Sequence, residues 1–266
     1  MALRALTRQA ENLWQEIAPL WPDFSVEVLP SIDSTNSELM RRARAGQHEH
    51  QLLVALDQSA GRGRRGKQWQ SRPGASLTFS LGLPYRPQDW SGLSLAIGVS
   101  LAESLHPAVR LKWPNDLWWQ GRKLGGILVE AAVAGDRRHA VIGIGLNVEL
   151  PELTLASAAA DETAAVALPP VPPAALQELV PDRDAGEWLA AVVPALVRDL
   201  QRFEQAGFAA FAARFAARDA LAGLELRLSD GQQGQAAGVG PDGALRLRTA
   251  AGLVDITSAE VSVRPR

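Results

Sequence analysis

A short stretch rich in glycine and arginine, Gln58–Ser71, has the composition of a ligand-binding loop. Three glycines and four cations fall within Gly61–Lys67. Glycine lets a backbone turn sharply and approach a ligand closely, because it has no Cβ and tolerates positive φ. Arginine supplies a planar fork of N–H donors that suits phosphate or carboxylate. The stretch therefore predicts a loop that clamps an anion.

Three other interpretations of this loop stay open from the local pattern. Residues Gly61–Gly66 match G-x-G-x-x-G, but a dinucleotide-binding fingerprint must open a helix. Here Pro73 and Gly74 follow closely and would break any helix. A basic run is also typical of a nucleic-acid-binding patch, or of a solvated surface loop. The local pattern does not distinguish these interpretations, so the rest of the sequence is needed.

A second chemical stretch, Arg110–Glu130, combines a carboxylate with several cations. It contains Asp116 next to Asn115, with Lys112 before them and Lys123 after them. A carboxylate beside an asparagine suits Mg²⁺, and lysines suit phosphate or a developing negative charge. A solvated hairpin edge with unrelated charges is the alternative. Five of the eight tryptophans lie between residues 69 and 119, which favours a ring-lined pocket or, equally, core packing.

Composition limits the classes of function. The formal net charge is −2 and the basic residues are concentrated locally, so no global positive field favours nucleic acid. The absence of cysteine excludes disulfides, thiolate metal sites and cysteine nucleophiles, and fits a reducing compartment. His48 and His50 lie in a polar stretch, where a solvated role is favoured over metal binding. Neither a signal peptide nor a membrane span is recognisable, so we expect a cytoplasmic protein.

The hydrophobic pattern predicts the elements that position these residues. Helices are expected over 3–20, 92–105, 187–206 and 207–220, and strands over 24–29, 52–57, 76–83, 109–113, 126–133 and 139–146. Gly135 and Asp136 predict an antiparallel hairpin between the last two strands. Ser34 or Thr35 is expected to cap a helix, and the free N–H groups at that helix start could also face a polar ligand.

The last third of the chain changes character twice. Residues 150–185 are rich in alanine and proline and predict a loop. Short strands with tight turns are expected over 224–228, 235–239, 244–249 and 253–256, which predicts a small antiparallel barrel. We therefore divide the chain into an N-terminal helix (1–23), a catalytic domain (24–220) and a C-terminal barrel (221–266).

Five motifs, in this order, resemble those of biotin–protein ligases: Ser34-Thr35-Asn36, Gly61–Gly66, Lys112–Asp116, Arg122–Glu130 and Gly143–Asn147. The glycine–arginine loop and the Lys-Trp-Pro-Asn-Asp block are specific as a pair. The resemblance covers roughly residues 26–266. It implies an α+β fold with a mixed sheet, related to class II aminoacyl-tRNA synthetases, followed by a small SH3-like barrel.

The resemblance also implies a reaction and its partners. Biotin and ATP would form biotinyl-5′-AMP and pyrophosphate with Mg²⁺ as cofactor. The biotinyl group would then pass to one lysine of a biotin carboxyl carrier domain, in acetyl-CoA carboxylase or a related carboxylase. We expect a monomer or weak homodimer that binds neither DNA nor a membrane.

Site residues follow from the resemblance, motif by motif. Lys123, Arg64 and Lys112 would be catalytic, and Asp116 would bind Mg²⁺. The residues implied to bind biotin are Ser34, Thr35, Asn36, Gln58, Arg62, Gly63, Arg64, Lys123, Gly126 and Gly145. Those implied to bind ATP or the adenylate are Gly61, Arg62, Arg64, Arg65, Lys112, Asn115, Asp116, Lys123 and Asn147. Gly125 would let the backbone approach the ligand, and the loop would order when ligand binds.

The chain departs from the family in two places. Repressor-type members carry an N-terminal winged helix-turn-helix, which the residues before the first expected strand cannot supply, so we expect no operator binding. The loop after Asn147 often carries a tryptophan that stacks on adenine, yet residues 150–185 contain no aromatic residue. Alternatives to a biotin ligase are a lipoate or octanoate ligase of the same fold, a biotin sensor without activity, and a nucleic-acid-binding module using Arg62, Arg64, Arg65 and Lys67.

Overall fold

A seven-stranded mixed sheet with helices on both faces forms the larger part of the molecule, and a five-stranded antiparallel sheet forms the smaller part. The computed structural model describes residues 2–134, 137–151, 171–257 and 263–265. The helices are α1 (Ala2–Ile17), α2 (Thr35–Arg44), α3 (Leu93–Leu105), α4 (Ala185–Ala206) and α5 (Ala212–Ala216). The strands are β1 (Ser25–Leu29), β2 (Gln51–Ala55), β3 (Ser76–Pro84), β4 (Arg110–Lys112), β5 (Asp116–Trp119), β6 (Arg122–Ala134), β7 (Arg137–Asn147), β8 (Glu225–Leu228), β9 (Gln233–Val239), β10 (Leu245–Thr249), β11 (Gly252–Ile256) and β12 (Val263–Pro265).

The large sheet has the strand order β1-β2-β3-β7-β6-β5-β4. Its first pair, β1 with β2, is parallel, and the remaining pairs are antiparallel. The predicted pairing of β6 with β7 is confirmed, whereas its turn at Gly135 and Asp136 lies outside the described residues. The mixed sheet predicted for this part of the chain is confirmed.

Alternation along β3 separates the two faces of the large sheet. Leu77, Phe79 and Leu81 are buried in the main core with α1, α3 and α4. Thr78 and Ser80 point to the opposite face, because successive side chains of a strand alternate. The opposite face is covered by α2, whose Leu39, Met40 and Ala43 form a second small core there. The candidate site residues described below lie on this polar face of the sheet.

Helix α2 begins as the sequence predicts. Ser34 is its N-cap, and the side chain of Ser34 accepts a hydrogen bond from the Ser37 N–H at 3.3 Å. On the other face, α4 contains Pro194 in its interior. The helix predicted over 207–220 is wrong: the segment forms a single turn at Phe208–Ala210 and the short α5. Its phenylalanines Phe208, Phe211 and Phe215 are nevertheless buried in the core, as expected.

The smaller sheet has the order β11-β10-β9-β8-β12, with antiparallel pairs throughout. The sequence analysis did not predict two of the strands, β5 and the C-terminal β12. Closure of this sheet into a barrel remains a prediction, as do the domain limits. The loop predicted over 150–185 falls largely on residues 152–170, outside the described residues. Among the described helices, none combines the length and apolar character needed to cross a bilayer.

Candidate active site

One row of paired residues crosses the large sheet on the face that α2 covers. Thr78 on β3 pairs with Gly145 on β7, and Gly145 pairs with Gly126 on β6. Asp116 follows on β5, and Lys112 ends the row on β4. A strand glycine leaves room for close approach of a ligand or another group. Gly126 and Gly145, on neighbouring strands, therefore form an open strip of backbone, the glycine floor. On one side of it lies a charged flank around Asp116, and on the other a polar flank at the start of α2.

The charged flank is built around Asp116, whose side chain is largely buried. Asp116 Oδ1 lies 2.7 Å from Lys123 Nζ, and Oδ2 lies 3.7 Å from Lys112 Nζ. Burial would raise the pKa of Asp116, but the charges of the two lysines outweigh it and lower the pKa. The positive charge of Arg264 on β12 acts in the same direction. The C-terminal sheet thus contributes to this electrostatic cluster.

Lys112 is the most deeply buried of these cations, with 3% of its side chain exposed. Burial lowers its pKa to about 8, against the opposing effect of the Asp116 carboxylate. Its ammonium nitrogen lies 5.5 Å from the centre of the Trp118 ring. The protonation of this ammonium group is therefore sensitive to its surroundings. A second anion placed beside it would raise the pKa of Lys112 and favour the charged form.

Asn115 connects the charged flank to the glycine–arginine loop. Arg64 Nη1 donates a hydrogen bond to Asn115 Oδ1 at 3.4 Å, and Asn115 Nδ2 donates to the carbonyl of Ile127 at 2.8 Å. Burial lowers the pKa of Arg64, and the Asp116 charge opposes that shift. The structure therefore brings Arg64, Asn115 and Asp116 together, and their assignment to ATP stays a prediction.

The polar flank joins the start of α2 to the residues that follow β2. Gln58 Oε1 accepts a hydrogen bond from the Thr35 N–H at 2.8 Å, so one free N–H of the helix start has a side-chain partner. Thr35 Oγ1 lies 2.7 Å from Ser80 Oγ on β3. Thr35 and Asn36 are buried, each 3% exposed. Four sequence-predicted residues, Ser34, Thr35, Asn36 and Gln58, are thus assembled at one place.

The glycine–arginine loop folds back on itself as a narrow hairpin. Gly63 N–H donates to the carbonyl of Lys67 at 2.7 Å, and Trp69 N–H donates to the carbonyl of Gly61 at 2.9 Å. Arg65 adopts a φ of 57°, a conformation uncommon for residues other than glycine. A Cβ at Gly61 would come within 2.3 Å of the Trp69 carbonyl oxygen, so the hairpin requires glycine there.

Trp69 is a site residue that the motifs did not single out. Its ring lies directly over Gly145, where a Cβ would approach Trp69 Cε2 to 2.4 Å. The indole Nε1 is buried and has no hydrogen-bond partner within the described part of the chain. Of the tryptophans between 69 and 119, Trp69 lies over the floor, whereas Trp113 is a core residue. The predicted ring-lined pocket is therefore only partly right.

Asn147 lies at the end of β7 and ties backbone segments together. Its Nδ2 donates to the carbonyls of Lys123 and Ala174, at 3.2 and 3.0 Å. The adjacent segment also pairs with Lys123, whose N–H donates to the carbonyl of Pro172 at 2.8 Å. The amide of Asn147 thus helps to hold the backbone of Lys123 in place, whatever it contributes to ligand binding.

A magnesium site made of protein side chains alone is not assembled in the described ranges, since no group of three or more His, Asp or Glu side chains there is arranged to hold a metal ion. Asp116 is a single carboxylate between two lysines. This arrangement fits the way proteins hold Mg²⁺ on a nucleotide, through one or two carboxylates and the substrate phosphates. Asp116, with Asn115 beside it, is the donor set that such an ion would use.

Three further residues belong to the site although sequence analysis did not assign them: Ser80, Glu130 and Arg264. The alternation along β3 and β6 places Ser80 and Glu130 on the polar face and could have found them. Arg264 carries no such signal, because β12 is three residues long and meets Asp116 only through the tertiary fold.

Two family models match the chain. Residues 28–147 match the biotin/lipoate A/B protein ligase family, and residues 224–264 match the biotin protein ligase C terminal domain. The first range covers both flanks of the site and the loop above them. The second covers most of the smaller sheet.

Individual proteins and structures agree with these matches. The chain is 36% identical over 253 residues to the bifunctional ligase/repressor BirA of Escherichia coli, covering 90% of this chain and 74% of that protein. It is 34% identical over 249 residues to the biotin–[acetyl-CoA-carboxylase] ligase of Paracoccus denitrificans, covering 88% and 98%. The structure of the Aquifex aeolicus biotin protein ligase in complex with biotin and ATP superposes with a TM-score of 0.75 at 28% identity, covering 91% of this chain and 99% of that one.

Proposed function

The chain belongs to the biotin protein ligase family, and on this premise we propose that it activates biotin with ATP and transfers it to protein. The first step forms biotinyl-5′-AMP and releases pyrophosphate. The second step passes the biotinyl group to a lysine of a biotin carboxyl carrier domain, in acetyl-CoA carboxylase or a related carboxylase.

The observation that carries the proposal is the arrangement of two unlike flanks on one glycine floor. The Thr35–Gln58 side offers neutral donors and acceptors, which suit the uncharged ring system of biotin. The Lys123–Asp116 side offers positive charge, which suits a carboxylate next to phosphates. The hairpin loop lies against both sides, through Arg62 and Arg64.

In the first step a biotin carboxylate oxygen attacks the α-phosphorus of ATP, a new P–O bond forms, and pyrophosphate leaves with the electrons of the broken P–O bond. Two anions must approach each other, so the groups needed are cations that offset repulsion and hold the reactants in line. Lys123, Lys112 and Arg64 supply these charges. No enzyme nucleophile is required, which agrees with a chain that lacks cysteine.

In the second step the neutral amine of the acceptor lysine attacks the acyl carbon of the adenylate. The C–O bond to the phosphate breaks, AMP leaves, and the amine loses a proton as the amide forms. An acyl-adenylate is easily hydrolysed, so a loop that covers it and excludes water has a clear purpose. We assign this role to the hairpin Gly61–Trp69, with Arg62, Gly63, Arg64 and Arg65 above the adenylate.

Mg²⁺ would be held beside Asp116 and Asn115 and would neutralise phosphate charge when bound. Lys112 would share that work from its buried position. We further propose that the protein acts in the cytoplasm, as a monomer or weak homodimer, on a carrier domain whose lysine is exposed.

Biotin-dependent exchange of labelled pyrophosphate into ATP tests the activation step, since exchange requires the adenylate to form reversibly. We expect exchange with biotin and little with lipoate. The family model matched by the core includes lipoate ligases, and the C-terminal match favours biotin. Exchange that depends on lipoate instead would establish the rival substrate, and no exchange with either, despite binding of biotin, would indicate a sensor.

A further inference from the structure

Asn36 lies between Ser80 and Glu130, two side chains to which the resemblance gives no role, although Glu130 closes the motif Arg122–Glu130. Ser80 Oγ donates a hydrogen bond to Asn36 Oδ1 at 2.6 Å, and Asn36 Nδ2 donates to Glu130 Oε2 at 3.0 Å. The amide lies tightly over Gly143, where a Cβ would come within 2.2 Å of Asn36 Oδ1. The buried amide of Asn36 is therefore held from three sides.

Glu130 also binds the hairpin loop. Its Oε1 accepts from Arg62 Nη2 at 3.1 Å, and its Oε2 accepts from Arg62 Nη1 at 3.4 Å. Half of the Arg62 side chain is exposed, so this ion pair contributes little to folding stability. Its consequence is geometric: one carboxylate on β6 binds the start of α2 and the loop at the same time.

Each hydroxyl group has one proton, and this fixes the direction of donation in the hydrogen bonds around Asn36. The single hydroxyl proton of Ser80 is donated to Asn36, so Ser80 Oγ accepts from Thr35 Oγ1 at 2.7 Å. The Thr35 hydroxyl proton is then used at the shorter contact, so the 3.1 Å contact of Thr35 Oγ1 with Gln58 Oε1 carries no proton, and Gln58 Oε1 accepts from the Thr35 N–H. The chain of donation runs from Thr35 through Ser80 and Asn36 and ends on Glu130.

A carboxylate can end such a chain because it only accepts. If the Asn36 amide were flipped, its oxygen would face the Glu130 carboxylate, and two acceptors would meet without a proton between them. Glu130 thus excludes the flipped amide and, through Ser80, sets the orientation of the Thr35 hydroxyl. An uncharged glutamine could not do this, since its own amide both donates and accepts.

We propose that Glu130 is a positioning residue with two effects. It sets which atoms donate and which accept hydrogen bonds in the polar flank, and it couples that flank to the covering loop through Arg62. This inference rests on the proposed function. It adds Glu130, with Ser80 as the relay, to the residues that determine biotin affinity, although Glu130 itself need not touch biotin.

The test compares Glu130→Gln with Glu38→Gln in the pyrophosphate exchange assay. Glu38 is a matched control, because it lies on α2 and pairs with two arginines, Arg41 and Arg42. We expect Glu130→Gln to raise the KM for biotin about tenfold, the effect of one lost charge-assisted hydrogen bond, with the KM for ATP little changed. Glu38→Gln should leave both values near wild type.

A polarity swap provides the decisive second variant. Asn36→Asp alone should raise the biotin KM, because two carboxylates then face each other. When Glu130→Gln is added, the side-chain amide at position 130 can donate to the carboxylate at position 36. The double variant should therefore bind biotin better than Asn36→Asp alone. Absence of this rescue, or equal loss for biotin and ATP in Glu130→Gln, would overturn the inference. Wild-type exchange with biotin is measured in parallel, so failure of the proposed function is recognised separately.

Discussion

Lys123 Nζ lies 2.7 Å from Asp116 Oδ1, and a Cβ at Gly126 would lie 3.4 Å from the nitrogen and 3.8 Å from the oxygen of this pair. The carboxylate keeps the ammonium group at one end of the glycine floor. Because Asp116 is itself shared with Lys112, the cluster carries net positive charge and is ready to receive an anion. In the proposed reaction, the biotin carboxylate and the α-phosphate would meet between the two flanks.

Removal of the Lys123 charge should affect chemistry more than binding. We expect Lys123→Ala to lower the rate of biotin-dependent exchange by about 10²–10³, equivalent to about 2.7–4 kcal/mol by analogy with other donors to developing charge. Biotin affinity, measured by calorimetry, should change far less. Equal losses in rate and affinity would argue against a role in the transition state.

The buried Lys112 predicts a decline of activity at alkaline pH. Its pKa is lowered to about 8, so the folded protein loses this charge at a lower pH than a free lysine would. The exchange kcat/KM should therefore fall above about pH 8, by about tenfold per pH unit. The exchange assay contains no acceptor lysine, so that titration does not enter. In Lys112→Arg the decline should disappear, and a flat wild-type profile to pH 9.5 would contradict the prediction.

Arg64 predicts how well the intermediate is retained. Its guanidinium contacts Asn115 and is drawn toward Asp116, so Arg64→Gly should loosen the loop from the charged flank. Biotinyl-5′-AMP should then escape and label lysines on bystander proteins, which blotting for protein-bound biotin would detect. Lys67→Gly serves as the control, because Lys67 is the one cation of Gly61–Lys67 that the resemblance does not assign to biotin or the adenylate. If Arg64→Gly retains the adenylate as wild type does, the loop is not a clamp.

Gly145 predicts a steric effect on the loop. A Cβ there would overlap the Trp69 ring at 2.4 Å, whereas a Cβ at Gly126 would meet Lys123 Nζ at an ordinary 3.4 Å. Gly145→Ala should displace Trp69 and change the tryptophan fluorescence of the ligand-free protein, together with a higher biotin KM. Gly126→Ala should leave that fluorescence near wild type. The prediction fails if both variants behave alike in the absence of ligand.

His139 predicts loss of stability in acid. Burial, then the charges of His48 and His50, lower its pKa to about 4, while nearby Glu49 acts in the opposite direction. Since the unfolded chain binds the proton near pH 6.5, stability should fall as the pH drops from 6.5 to 4, by up to about 3 kcal/mol. Urea unfolding at several pH values measures this loss. His139→Gln should show a shallower dependence over the same interval.

Local pattern predicted much of the fold. The cap at Ser34, the alternation of β3 and the β6–β7 hairpin follow from side-chain chemistry and from the periods of strands and helices. The failures have physical reasons too. Strand β5 is four residues long and exists through its pairing with β6, and the segment after Gly207 buries its phenylalanines without continuing as a helix.

The kinds of groups in the site can be read from the sequence: the cationic loop, the lysines beside Asp116, and the glycines that must be small. Which of these groups meet depends on the tertiary structure. The contacts of Glu130 with Asn36 and Arg62, and the approach of Arg264 to Asp116, join residues far apart in the chain. Such contacts depend on strand order and register, because alternation assigns a residue to a face but does not choose its neighbours across the sheet.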